Sequence, residues 1–121
     1  MNFDWSDYLN YSESVSQKNS VIESEIRSAI SRVYYSVHNT AAESIFKTDK
    51  VKKQHSDLIT HYKSDKSNVS NQEAGKILSG LRFDRINSDY YSDTSKLGSN
   101  LGKKLESVIL QAKEFKSLTG L

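Results

Sequence analysis

The sequence predicts an all-α fold, a bundle of four to five up-and-down helices, and three observations predict it. The chain of 121 residues contains no proline and only five glycines, so little in it interrupts a helical backbone. Apolar residues recur at spacings of three and four through most of its length, the period of a helix with one buried face. The breaks between those stretches are short and rich in Ser, Asn and Asp, residues that favour turns and caps. At this length residues 1–121 form one domain with a single modest core.

The first helix is expected from about residue 4 to 16, with Asp4 as N-cap and Trp5, Tyr8, Leu9 and Val15 facing inward. The polar break QKNS ends it. The second and longest is expected over 21–46, where Ile22, Ile26, Ala29, Ile30, Val33, Val37, Ala41 and Ile45 draw a continuous stripe, so it forms the spine of the core. A third, over 53–63, presents Leu58, Ile59 and Tyr62. After the connector SDKSNVSN, a fourth over 71–86 presents Ala74, Ile77, Leu78 and Leu81 and frays into NSDYYSDTS. The last, over 95–118, carries Leu97, Leu101, Leu105, Val108, Ile109, Ala112 and Phe115.

Composition excludes several functions. There are no cysteines, hence no disulfide scaffold, thiolate metal site or cysteine nucleophile. The N-terminal stretch MNFDWSDYLNYSES is acidic and polar, unlike a signal peptide, and no apolar run approaches the ~18 residues of a membrane span, so a cytoplasmic chain with no membrane contact is expected. The net charge of +2 does not by itself announce a nucleic-acid binder. The densest basic segment, KTDKVKK, with Lys47, Lys50, Lys52 and Lys53, reads as a solvated loop.

Arginine is distributed differently from lysine. All four arginines fall in two segments, IRSAISRVYYSVH at 26–38 and LRFDRINSDYY at 81–91, each with a tyrosine pair. The guanidinium is a rigid, permanently charged fork suited to carboxylate or phosphate, so these segments are the candidate functional regions. At about 100° per residue, Arg32 and His38 fall on opposite flanks of the second helix's apolar stripe, and another helix or a second copy of the chain is needed to bring them together. Arg27, Ser31, Tyr34 and His38 share one face along the stripe's edge, the pattern of a helix-contact rim. Arg82, Arg85 and Asp89 share a face of the fourth helix, where Arg85 and Asp89 either form a structural ion pair or the arginines receive a phosphate. His55 and His61, six apart, point away from each other on a helix. Two such ligands do not make a metal site, so neither metal nor cofactor is expected.

Three runs resemble one family. RSAISRVYYSVHNTAAESI resembles the second helix of small HEPN-domain proteins, commonly R-x-A-I-S-R-x-Y-Y-A-x-F-H; QHSDLITHYKSD resembles their H-x-x-L-I-x-x-F segment, and LRFDRINSDYY their L-R-x-x-R-x-x-A-D-Y ending. The resemblance spans most of residues 3–115 in the same order. It implies a HEPN-like bundle, commonly a homodimer, from a superfamily that includes metal-independent endoribonucleases of toxin–antitoxin and antiviral defence systems. RNA and a nucleotidyltransferase or antitoxin are the partners it implies. In active relatives an Arg followed four to six residues later by His cuts RNA across the dimer, and Arg32 and His38 match that spacing as R-VYYSV-H. In well-understood nuclease members, however, that pair sits near the end of the bundle, in the region of Arg85, where the position five residues on is Tyr90.

The resemblance therefore carries two readings. In one, the RNA 2′-hydroxyl attacks its adjacent phosphate, His38 moves the protons, and Arg32, with Arg85, balances the charge that develops. In the other, the chain is a non-catalytic module that docks RNA, a nucleotide or a protein partner through Arg82, Arg85, Tyr35, Asn39 and Tyr90.

Overall fold

The computed structural model describes residues 3–46 and 55–121. Among them lie five α-helices, one 3-10 turn and no strand: α1 (Ser6–Ser16), α2 (Glu23–Phe46), α3 (His55–Lys63), α4 (Val69–Tyr90), the turn at Ser95–Leu97, and α5 (Leu101–Thr119). The expected all-helical bundle is what the chain forms. The segment KTDKVKK and the expected start of the third helix at Lys53 lie outside the described residues. No helix among the described residues is long and apolar enough to cross a membrane.

The period-3.6 stripe of α2 does form the spine. Ala29, Ile30, Val33, Tyr34, Val37 and Ala41 are fully buried, and α2 packs against α1, α4 and α5 at once. α3 rests on α4, and α4 on α5, completing one core in which Leu58, Leu78, Leu81, Leu105, Val108 and Phe115 meet the α2 stripe. Each fully buried side chain of this size contributes about 1.5–3 kcal/mol, so the shared core supplies most of the driving force. Polar ties set the register at its edges. The buried Ser12 hydroxyl donates to the Ala29 carbonyl at 2.7 Å, joining α1 to α2, and Lys104 of α5 pairs with the buried Asp84 of α4 at 3.1 Å.

Several boundaries differ from the sequence reading, the first at α1, which starts at Ser6 with Trp5 rather than Asp4 in the N-cap position. Ile22 precedes α2 and is 62% exposed, so it leaves the stripe assigned to it. α4 begins two residues early because Asn68 caps it: the Asn68 side chain accepts from the Asn71 backbone N–H at 3.0 Å. The final helix does not start at Ser95, because Gly98 adopts φ +92° and Asn100 caps a new helix by accepting from Lys103 N–H at 3.1 Å. Ser95–Leu97 remains a separate 3-10 turn with Leu97 buried beneath it.

The largest difference is at the end of α4, which continues four residues past Ile86 instead of fraying. Asn87 and Ser88 turn their side chains back onto the Phe83 and Asp84 carbonyls, at 2.9 and 2.8 Å. Arg27 of α2 then closes the helix from outside. Its Nη1 is shared among the carbonyls of Asn87 (3.3 Å), Ser88 (3.0 Å) and Tyr91 (2.6 Å), and Nη2 donates to Ser92 at 3.1 Å. Nε is fixed by Glu23 at 2.9 Å. A cation set among unsatisfied carbonyls answers both the orphan acceptors and the negative end of the helix dipole. The α2 row of Arg27, Ser31, Tyr34 and His38 thus does edge a helix contact.

Two predictions follow from these contacts. Arg27→Ala should cost about 1–3 kcal/mol in urea unfolding and abolish amide protection selectively at residues 87–91. A Cβ on Gly75 would lie 2.7 Å from Lys63 Cγ and 2.9 Å from the Lys63 backbone N, whereas nothing lies within 4 Å of one on Gly80. Gly75→Ala should therefore lose about 1–3 kcal/mol by prising α3 off α4, while Gly80→Ala in the same helix should gain up to about 1 kcal/mol. Equal responses at the two glycines in denaturant titrations would refute this account of the α3–α4 contact.

Candidate functional site

Residues 32–39 of α2 send their polar side chains in two directions. Arg32, Tyr35 and Asn39, three and four apart, look toward an open cleft of about 590 Å³ between α1 and the end of α4. Trp5 and Tyr8 form one wall, Ser28 and Ser31 part of the floor, and Ser88 and Asp89 the opposite rim. The Arg32 guanidinium lies over the Tyr8 ring at 4.8 Å and the Tyr11 ring at 5.5 Å, a cation–π arrangement that orients it without neutralising it. Among the described residues no carboxylate pairs with Arg32. Trp5 is fixed in turn by donation from its indole N–H to Glu43 at 2.8 Å.

Tyr34 and His38, one turn apart, look the other way and meet His55 at the start of α3. The Tyr34 hydroxyl bonds His55 Nδ1 and lies 3.3 Å from His38 Nδ1, and the two imidazoles stand 4.5 Å apart. A phenol has one proton, so Tyr34 donates to one Nδ1 and accepts from the other. Burial, with His55, Arg85 and Arg82 adding repulsion, pushes the His38 pKa down to about 4. His55 shifts down for the same reasons, burial first and then the two arginines, while burial raises the Tyr34 phenol. At neutral pH His38 is uncharged, able to accept a proton but poorly able to hold it.

Arg85 connects the two directions. It is 5% exposed, and its guanidinium lies 5.5, 5.3 and 5.7 Å from the Tyr34, Tyr35 and Tyr90 ring centres. The Arg85–Asp89 pair expected from their spacing is present but loose, with Nη1 3.8 Å from the carboxylate. That carboxylate accepts from the Ser31 hydroxyl at 3.0 Å, tying α4 to α2 beside the cleft. The Nε atoms of Arg82 and Arg85 are both buried and lack a hydrogen-bond partner among the described residues.

The expected site residues therefore separate into two groups. Arg32, Tyr35 and Asn39 share the cleft; His38, Arg82, Arg85 and Tyr90 belong to the arginine–histidine cluster, with Tyr35 forming the wall between them. Within one chain Arg32 faces the α1 tyrosines and His38 faces Tyr34 and His55, so the pair with R-x5-H spacing is not brought together. His61, set against His55 in the sequence reading, is exposed, and His55's partners are Tyr34 and His38. Sequence reasoning missed His55, Tyr34 and Asp89 as members of the site, and Arg27 as the cap beside it. The i, i+4 spacings of Tyr34 to His38 and of Arg85 to Asp89, with the rim row that begins at Arg27, signalled part of this in advance.

The electrostatics yield a pH prediction. Because the folded pKa of His38 lies below its unfolded value, the unfolded chain binds more protons between about pH 6.5 and pH 4. Stability should fall as pH falls through that window, by at most about 3 kcal/mol from His38, and His38→Gln should flatten the slope. The His38 ring signals in an NMR titration should stay in the neutral form down to about pH 5; protonation near pH 6.5 would contradict the burial. In comparisons with known proteins, no family model, curated protein or solved structure matches this chain.

Proposed function

We propose that the chain is a HEPN-like module that binds RNA or a nucleotide in the cleft of Arg32, Tyr35 and Asn39. The observation that carries this reading is the state of Arg32. Its guanidinium is half-buried, oriented by two tyrosines, free of any carboxylate among the described residues, and at the wall of a cleft lined by Trp5, Tyr8 and Tyr35. A fixed cation beside aromatic faces suits a phosphate next to a base, with stacking worth about 1–3 kcal/mol per base. Asn39, Ser28 and Ser31 add neutral hydrogen-bonding groups, and a cleft of about 590 Å³ has the size of a small-molecule site. The three resembling sequence runs support the family. In this reading a second copy of the chain and a nucleotidyltransferase or antitoxin are its protein partners.

A second reading, metal-independent RNA cleavage, is favoured by one separate observation. His38 and His55 are 4.5 Å apart and held neutral beside two arginines, a set that contains a proton acceptor and a counter-charge for a strained phosphate. Binding ranks first because His38 is only 8% exposed and Arg32 is turned away from it.

Both readings are tested with labelled single-stranded RNA in EDTA, following binding by fluorescence anisotropy and cleavage on gels. Arg32→Ala should weaken binding at least tenfold and reduce the salt slope by about one unit, with Arg32→Lys intermediate. The RNA should remain intact. Binding unchanged in Arg32→Ala sinks the first reading, and cleavage that disappears in His38→Ala establishes the second.

A further inference from the structure

The Arg85 guanidinium is less well paired than a buried cation should be. Its side chain is 7% exposed, yet Nε has no partner among the described residues and the nearest carboxylate oxygen is 3.8 Å away, outside good hydrogen-bond range. Three tyrosine rings surround it, which orient a cation but leave its buried Nε–H without an acceptor among the described residues. Burial of a permanent charge is tolerated when a close, usually bidentate, anion completes it. Here the resident anion is Asp89, and it is badly placed for that task.

Asp89 is unusual in its own right. It occupies the last turn of α4, where the helix dipole disfavours a carboxylate. Its side chain is 30% exposed and lies on the rim of the cleft, and it takes the Ser31 hydroxyl at 3.0 Å as well as facing Arg85. The Ser31 hydroxyl and the Arg85 fork form a phosphate-type donor set, and Asp89 stands between them. The end of α4 does not depend on that side chain, because Arg27 holds the carbonyls of Asn87, Ser88, Tyr91 and Ser92. Asp89 can swing outward about its own side-chain bonds with the helix cap intact.

We infer that Asp89 is a self-supplied stand-in anion: from the rim of the cleft it covers Arg85, which lies behind it and does not itself line the cleft, and a ligand phosphate reaches the Ser31–Arg85 seat by displacing it. The inference rests on the cleft being a phosphate-binding site, and it adds which group the phosphate competes with. Affinity is thereby held below what the donors alone would give. The ligand class is a phosphate monoester or free inorganic phosphate, and the two are separated by measurement.

Isothermal titrations with 5′-AMP, inorganic phosphate and adenosine on the full chain decide the matter. Asp89→Asn removes the competing charge and should tighten 5′-AMP at least fivefold, whereas Asp89→Glu, which keeps the charge, should stay within twofold of the unmodified protein. A parallel gain for inorganic phosphate assigns the seat to phosphate alone; a gain for 5′-AMP only assigns it to a nucleotide. Arg85→Lys, checked for helix content by circular dichroism, should erase the gain in the double variant. If Arg85→Lys does not fold, the contrast between Asn and Glu at position 89 still decides. Asp89→Asn binding no tighter than the unmodified protein, or a gain for adenosine equal to that for 5′-AMP, overturns the inference. It does so without touching the cleft reading if Arg32→Ala still loses 5′-AMP. Failure of every variant to bind 5′-AMP overturns both.

Discussion

The placement of Arg27 among the terminal carbonyls of α4 is the contact on which the rest of the site depends. Without it the sequence NSDYYS has every local reason to unwind, since Asn, Asp and Ser compete with the helix for their own backbone. With it α4 remains helical to Tyr90. That extra turn delivers Ser88 and Asp89 to the cleft and sets the Tyr90 ring against Arg85. A single guanidinium from α2 thus helps hold the cleft rim formed by Ser88 and Asp89. Its own orientation is secured by Glu23, one turn earlier on the same helix.

The second organising feature is a separation of charge from protonation. The arginines keep their charge wherever they are placed, while two histidines near two of them are held neutral first by burial and then by the arginines' repulsion. Positive charge beside the α2–α4 contact therefore comes from permanent cations, and the imidazoles take part as neutral hydrogen-bonding groups. The tyrosines mediate: Tyr8 and Tyr11 steady Arg32, while Tyr34, Tyr35 and Tyr90 surround Arg85. The pairing of arginine with tyrosine in two short sequence segments corresponds to two physical clusters, divided by the Tyr35 ring.

Much of the fold was legible because it rests on periodicity. The α2 stripe from Ala29 to Ala41 and the α5 stripe from Leu105 to Phe115 are buried as their spacing requires. Helix ends were less legible, since they depend on partners distant in sequence: Arg27 is some sixty residues from the carbonyls it caps. The reverse holds at Gly98, where a locally imposed backbone turn splits what the apolar pattern alone reads as one helix. At the site, the wheel correctly set Arg32 and His38 on opposite flanks, and the i, i+4 rule found Arg85 with Asp89. The meeting of His38 with His55 was invisible because it depends on how α3 approaches α2, and no spacing within either helix encodes that.

The shared Tyr34 hydroxyl makes those three rings one unit. With a single phenolic proton between two Nδ1 atoms, the hydrogen bonds run either from His38 through Tyr34 to His55 or in the opposite sense. Choosing the tautomer of one imidazole fixes that of the other. The Nε2 atoms of the buried His38 and the half-buried His55 consequently carry opposite donor and acceptor character. A group that approaches His55 and demands one character of it rewrites the other imidazole inside the bundle, so α2 and α3 share a two-state polarity that neither helix possesses alone.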